Sequence, residues 1–229
     1  MIKVFKKPII RWTIGGNVSQ HGIDCLGNSI NCWKDLYGDS FDYFLCYNNI
    51  DVNKLNFGVN LINQHEHLNS LSIQPNSTAW KLYPPRISLQ SHEIFIDNDL
   101  IIYKKIPLID DFLKSKNIFF CTEAVNRCFG AYSKENHKAI KLNSGFFGIP
   151  PYFDFEKFIE SKIPDKWNSW FDEQGLVAFI MCQNEVKTIS LNDIWICLDE
   201  FKLGKYGVHF VGLNGGNTLF WELWLKSTI

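Results

Sequence analysis

An α/β fold with a central, mostly parallel sheet flanked by helices follows from three observations. Short apolar runs rich in β-branched and aromatic residues alternate along the chain with segments whose apolar residues recur every three or four positions. Gly and Pro turns punctuate the runs. The 229 residues are 46% hydrophobic and 15% aromatic, the composition of one packed domain and not of a disordered chain.

PIIRWTI (8–14), ended by Gly15 and Gly16, reads as a buried strand entering a tight turn. Ile23, Leu26, Ile30, Trp33 and Tyr37 then step by three and four, the spacing of one apolar helical face. FDYFLCY (41–47) is a second strand, so the chain opens with a strand-helix-strand unit that pairs in parallel. From 48 to 90 the pattern weakens into Asn, Ser and the Pro84-Pro85 pair, a loop with a candidate strand at LSIQ (71–74). HEIFIDNDLIIY (92–103) is the next strand, IPLIDDFLKS (106–115) a short helix opened by Pro, and NIFFCTE (117–123) a further strand. KLNSGFFGIPP (141–151) carries Gly145 and Gly148, which marks a strand whose backbone approaches something closely. DFEKFIES (154–161) and DKWNSWFDEQGLVAFIM (165–181) read as helices, and YGVHFVG (206–212) as a strand before a Gly-rich loop. No repeat, low-complexity tract or linker divides the chain, so residues 1–229 are treated as a single domain.

A net charge of -1, from 23 basic and 24 acidic residues, provides no general field for nucleic acid or anionic lipid. Any anionic ligand must be met locally. Seven cysteines without a CxxC pair suggest neither a disulfide framework nor a zinc ribbon, and fit a reducing compartment. MIKVFKKPIIRW lacks the apolar core of a signal peptide, and no window reaches the roughly 18–20 apolar residues of a membrane span. The expectation is a cytoplasmic protein without a transmembrane segment.

Asp97 and Asp99 stand directly after an apolar run. Residues two apart on a strand point the same way, and at a frayed strand end two carboxylates can converge on one hard cation. Such a cation completes its shell with water and substrate phosphates, so the pair implies a phosphorylated ligand. The bland alternative is a pair of aspartates capping a solvated turn; the strand before them favours the metal. His65 and His67 are also two apart, but lie in a polar loop without a third ligand and read as surface. His92 reads as structural.

The segment IFIDND, in the middle of an α/β chain, resembles the DXD motif of GT-A glycosyltransferases, which use nucleotide-diphosphate sugars. RWTIGGN resembles the segment that begins that family's nucleotide pocket, and LNSGFFGIP the strand beside the donor sugar. WFDEQGL and YGVHFVG resemble the helix start and the His-containing strand of the glycogenin-like and galactosyltransferase-like branch. The resemblance spans nearly the whole chain. It implies a single GT-A domain, with a nucleotide-binding part over about 1–105 and an acceptor and donor-sugar part over about 106–229.

By the same resemblance, Asp97, Asp99 and His209 would hold a manganese or magnesium ion, and the imidazole favours manganese. Asp172, Glu173 and Gln174 would lie at the reactive face of the sugar. Thr13, Gly15, Gly16, Asn48, Arg86, Asn98, Asn143, Ser144, Gly145 and Gly212 would line the nucleotide-sugar site. The Lys that follows the metal-binding His in that branch is absent, since LNGGNTLFWELW has none before Lys226. Arg86, or the backbone amides of Gly215 and Gly216, would then meet the diphosphate. Trp167, Trp170, Trp221 and Trp224 are candidates to stack on an acceptor sugar.

The expected activity is transfer of a sugar from a nucleotide-diphosphate sugar, UDP-sugar favoured, to a glycan or other hydroxyl acceptor, with a role in surface polysaccharide or glycan synthesis. Glu173 or Asp172 would act as general base in an inverting reaction, or stabilise the cation-like carbon in a retaining one. Alternatives are a metal-dependent carbohydrate-binding module without turnover, or a sugar-phosphate nucleotidyltransferase. GGNVSQHG lacks the Arg and Lys that would hold a triphosphate. A phosphatase whose strand also ends in DxD would carry that motif near the N-terminus.

Overall fold

The computed structural model describes residues 7–16, 18–67, 77–123, 129–134, 141–162, 167–213 and 216–227. The strands are β1 (Ile9–Gly15), β2 (Asp42–Asn48), β3 (Asn60–Asn63), β4 (Glu93–Asp97), β5 (Leu100–Ile102), β6 (Ile118–Thr122), β7 (Leu142–Ile149), β8 (Val186–Ile189), β9 (Ile194–Ile196) and β10 (Gly207–His209). The α-helices are α1 (Gln20–Tyr37), α2 (Pro107–Phe112), α3 (Phe155–Lys162), α4 (Phe171–Met181) and α5 (Leu219–Ser227). A short 3-10 helix spans Thr78–Leu82.

β1, α1 and β2 form the expected unit, with β1 and β2 parallel from Ile9–Asp42 to Gly15–Asn48. Ser19 starts α1, its hydroxyl accepting the Gly22 N–H at 3.1 Å, so one of the otherwise unpaired first-turn donors is satisfied. The apolar stripe Ile23, Leu26, Ile30, Trp33 and Tyr37 is buried as its spacing requires. Gly38, at φ +52°, ends the helix in a conformation that glycine adopts without steric cost.

Seven strands form the main sheet in the order β3-β2-β1-β4-β7-β6-β8. Its neighbours are parallel except β7, which runs opposite to both β4 and β6. Alternation along β4 divides the core. Ile94 and Ile96 pack with α1 and α2 on one face, while Phe95 packs with α3 and α4 on the other. Burial of each such side chain stabilises by about 1.5–3 kcal/mol. A three-stranded sheet, β5-β10-β9, packs with α5 in a third cluster.

The expected single strand over 92–103 is two strands in two different sheets. The chain leaves the main sheet at Asp97, turns at Asn98 and Asp99, and enters the small sheet at Leu100, opposite His209 of β10. The apolar pattern reads continuously because both strands are buried, which hides the bend between them. β3, β8, β9 and α5 are further elements beyond those expected; the candidate strand at LSIQ lies outside the described residues. No helix among the described residues is long and apolar enough to cross a membrane.

Candidate active site

The two sheets converge at the DXD turn. β1 and β4 are parallel with Thr13 opposite Asp97, so the carboxyl ends of both strands open at the same edge. Asp97 is the last residue of β4 and Asp99 lies in the turn, so the carboxylates converge through the bend and not through strand alternation. The Phe210 N–H donates to the Asp99 carbonyl at 2.9 Å and ties the end of β10 to the turn. His209 Nε2 lies 3.0 Å from Asp99 Oδ1 and 3.7 Å from Asp97 Oδ2. Burial disfavours its imidazolium, but Asp99 and then Asp97 outweigh burial and raise its pKa above the ordinary value.

A divalent cation fits these residues. One ligand atom from each of Asp97, Asp99 and His209 lies within 4.8 Å of the others, and His209 Nδ1 is buried without a hydrogen-bond partner. The space is kept open by Gly145 of β7: a Cβ there would stand 2.4 Å from His209 Cε1 and 2.8 Å from Asp97 Oδ2.

β7 also presents Asn143 and Ser144. Asn143 bridges, its Nδ2 donating to Glu123 Oε2 at 2.8 Å while its Oδ1 accepts the Gly145 N–H at 2.8 Å. Ser144 meets α4: its N–H donates to Gln174 Oε1 at 3.1 Å and its hydroxyl to Glu173 Oε2 at 3.2 Å. Glu173 is 2% exposed, and burial pushes its carboxyl up to about 7, although Lys81 and the Ser144 hydroxyl pull it back.

Lys81 is a site residue that the motifs did not indicate. Its ammonium sits 2.6 Å from Asp97 Oδ1, 3.5 Å from Glu173 Oε1 and 3.2 Å from the Ser144 carbonyl. Burial would lower its pKa, yet Asp97 and Glu173 hold it above the ordinary lysine value. It lies in a stretch without periodicity. The available signal was composition: a Lys between Trp80 and Leu82 is flanked by side chains that belong inside, and a buried Lys requires a carboxylate partner. Glu123, at the Asn143 side, was likewise not indicated.

Thr13 lies opposite Asp97, Gly15 is the last residue of β1, and Gly16 follows it at φ +62°. Asn48 lies against Gly15, where an added Cβ would meet its Oδ1 at 2.4 Å; its Nδ2 donates to Gln64 Oε1 at 2.7 Å. Asn98 Nδ2 donates to the Gly22 carbonyl at 3.3 Å and anchors the DXD turn to α1. Gly212, at φ +84°, follows β10 in the turn toward Gly216; Gly215 lies outside the described residues.

Two expected site residues do other work. Arg86 does not reach the Asp97, Asp99 and His209 cluster. Its guanidinium donates to Glu93 Oε2 at 3.1 Å and to the carbonyls of Pro150, Phe153, Ser88 and Ser91, at the end of β4 opposite to Asp97. Asp172 turns away from Glu173, its carboxylate accepting the N–H groups of Ala131, Asn168 and Ser169 at 2.7–2.9 Å. It ties residues 131, 168 and 169 to the start of α4, where the helix dipole also favours an anion. His65 is exposed, and His92 packs edge-on to Phe112 with Nε2 3.0 Å from the Ser115 carbonyl.

No family model and no curated protein sequence matches this chain. Solved structures do. The galactosyltransferase LgtC, in complex with donor and acceptor sugar analogs, is similar with a TM-score of 0.59, 13% identity and coverage of 94% of each chain. Mouse xyloside xylosyltransferase 1 is similar with a TM-score of 0.57 and 11% identity over 91% of this chain and 99% of its own. The bifunctional glycosyltransferase WbbM is similar with a TM-score of 0.59 and 12% identity over 86% of this chain and 40% of its own. The chain therefore has the GT-A glycosyltransferase fold, with the Asp97-Asp99 pair at the end of β4.

Proposed function

We propose that this protein is a metal-dependent glycosyltransferase that moves a sugar from a nucleotide-diphosphate sugar, UDP-sugar foremost, to a hydroxyl acceptor. The observation that supports it best is the convergence of Asp97, Asp99 and His209 with Lys81 and Glu173 on one edge of the sheet. An ion-binding cluster next to a buried ammonium is built for a diphosphate leaving group. The similar galactosyltransferase was solved with donor and acceptor sugar analogs, a two-substrate arrangement in keeping with this reading.

Asp97, Asp99 and His209 would hold a divalent ion, manganese in preference to magnesium, which when bound supplies Lewis-acid stabilisation of the leaving diphosphate. Lys81, whose donors face Asp97, Glu173 and the Ser144 carbonyl, would hold positive charge beside the leaving diphosphate, a role that Arg86 is not placed to fill. Glu173, fixed by Ser144 and Lys81, supports the positive charge that grows on the sugar carbon. In the transfer, the acceptor oxygen bonds to the anomeric carbon while the bond from that carbon to the diphosphate breaks, its electron pair leaving on the diphosphate. The acceptor proton goes to the departing diphosphate when the same face is attacked, or to Glu173 when the opposite face is attacked.

Thermal unfolding with UDP, with and without manganese, tests this directly. At a ligand concentration roughly 100-fold above Kd the complex gains about 2.7 kcal/mol, so UDP with manganese raises Tm. Asp99→Asn abolishes that shift, and, because it also weakens the partner of the buried His209 imidazole, it does not raise the stability of the free protein. An equal UDP shift in the presence of chelator would show the metal-linked reading to be wrong. Release of UDP from a UDP-sugar separates the transferase from a carbohydrate-binding module.

A further inference from the structure

Four tryptophans are candidates for contact with an acceptor sugar, and the structure separates them. Trp167, Trp221 and Trp224 are buried in the core, at 8%, 1% and 7% exposure, whereas Trp170 is 71% exposed. Phe171, its neighbour, is 44% exposed. Two adjacent exposed aromatic rings cost solvation that the fold has no use for, because neither fills the core.

Their position gives them a use. Trp170 already has helical dihedrals, φ -60° and ψ -26°, so the helical register of α4 extends back to it. Residues three apart on a helix share a face with Cβ atoms roughly 5–6 Å apart. Trp170 therefore stands one turn above Glu173, and Phe171 one turn above Gln174. Glu173 and Gln174 are the α4 residues that reach Ser144 and, through Glu173, Lys81. The Trp170 carbonyl also accepts the Thr78 hydroxyl at 2.9 Å, so the aromatic pair is tied to the short helix that carries Lys81. A ring lying on Trp170 thus borders the carboxylate and ammonium that face the donor. Tyr152 is equally exposed, at 72%, but follows the far end of β7, with its N–H bonded to the Leu89 carbonyl.

We infer that Trp170, with Phe171 beside it, is the acceptor subsite, and that the acceptor is a saccharide. The C–H face of a pyranose carries slight positive charge and packs flat on the negative face of an indole, while its hydroxyls stay at the ring edge. Such a sugar would then lie one helical turn from Glu173. A lipid or protein acceptor hydroxyl would not need a flat exposed ring at this place. The inference rests on the glycosyl-transfer reading above and extends it to the second substrate.

The test uses the full chain with UDP and manganese on an array of immobilised oligosaccharides, comparing wild type, Trp170→Ala, Trp170→Phe and Tyr152→Ala. The expected result is binding to a subset of glycans that falls about tenfold in Trp170→Ala, the loss of one stacked ring, and is mostly kept in Trp170→Phe and Tyr152→Ala. The UDP-dependent Tm shift, measured in parallel, stays unchanged in all variants. Absence of glycan binding by the wild type, or equal binding by Trp170→Ala, overturns the subsite while a UDP shift keeps the transferase reading. Loss of the UDP shift in the wild type itself overturns both.

Discussion

Glu173 and Asp172 are adjacent carboxylates whose surroundings give them opposite tasks. Asp172 accepts three backbone N–H groups and is spent on the start of α4. Glu173 is buried against a lysine and a hydroxyl, and burial lifts it from the ordinary 4.5 to about 7. The folded protein therefore binds more protons at this group than the unfolded chain does between those two values, and stability falls as pH rises through that window. Glu173→Gln, neutral at every pH, should flatten this part of the stability profile and leave the variant relatively more stable at pH 8 than at pH 5. Urea midpoints at the two pH values check it; an unchanged slope against wild type would mean that Glu173 is not held protonated. In the same variant UDP release from a UDP-sugar should fall by about two orders of magnitude or more, the effect of removing one charge-stabilising group.

At the scale of elements, β7 carries two glycines with separate reasons. A Cβ on Gly145 would collide with His209 Cε1 and Asp97 Oδ2, whereas a Cβ on Gly148 would stand 2.2 Å from Phe119 Cε1 in the core. Overpacking either position costs about 1–3 kcal/mol. Gly148→Ala should lower stability and keep the manganese-dependent UDP shift. Gly145→Ala should eliminate that shift even where the protein remains folded by circular dichroism. Retention of the shift in Gly145→Ala would place the ion elsewhere. β7 is also the strand that reverses direction in an otherwise parallel sheet, and so sets Asn143 to Gly145 beside Asp97 and sends Gly148 to the opposite end. Both glycines were legible as positions of close approach; what approached them was not, because His209 and Phe119 are 64 and 29 residues away in sequence.

Across the whole molecule, Glu93 joins two arginines below the site. Arg11 Nη1 donates to Glu93 Oε1 at 3.0 Å and to the Pro84 carbonyl at 2.6 Å, and Arg86 takes the second carboxylate oxygen. The cluster links β1, β4, the 83–91 loop and the segment after β7, and the side chains of Arg11, Glu93 and Arg86 are nearly free of water. Removing one partner leaves buried charge and unpaired carbonyls, a loss of about 3–5 kcal/mol. Arg86→Met should show that loss in denaturant unfolding, while KM for the UDP-sugar stays near wild type at a temperature where the variant is folded. A large rise in KM without loss of stability would return Arg86 to the diphosphate.

The sequence by itself determined the alternation of strands and helices, the apolar stripe of α1, and the strand that ends in Asp97. Each is a local pattern, written in neighbouring residues by the periods of helix and strand. The Asp-x-Asp pair and His209 were also legible, through the motifs around them. Tertiary structure alone decided that 92–103 bends between two sheets, that Lys81 closes on Asp97 and Glu173, that Arg86 and Asp172 are consumed by backbone groups, and that only Trp170 among the four tryptophans faces solvent. Those outcomes depend on which distant groups share one low-dielectric space. A charge there must find its partner across the fold, and no period along the chain records where that partner stands.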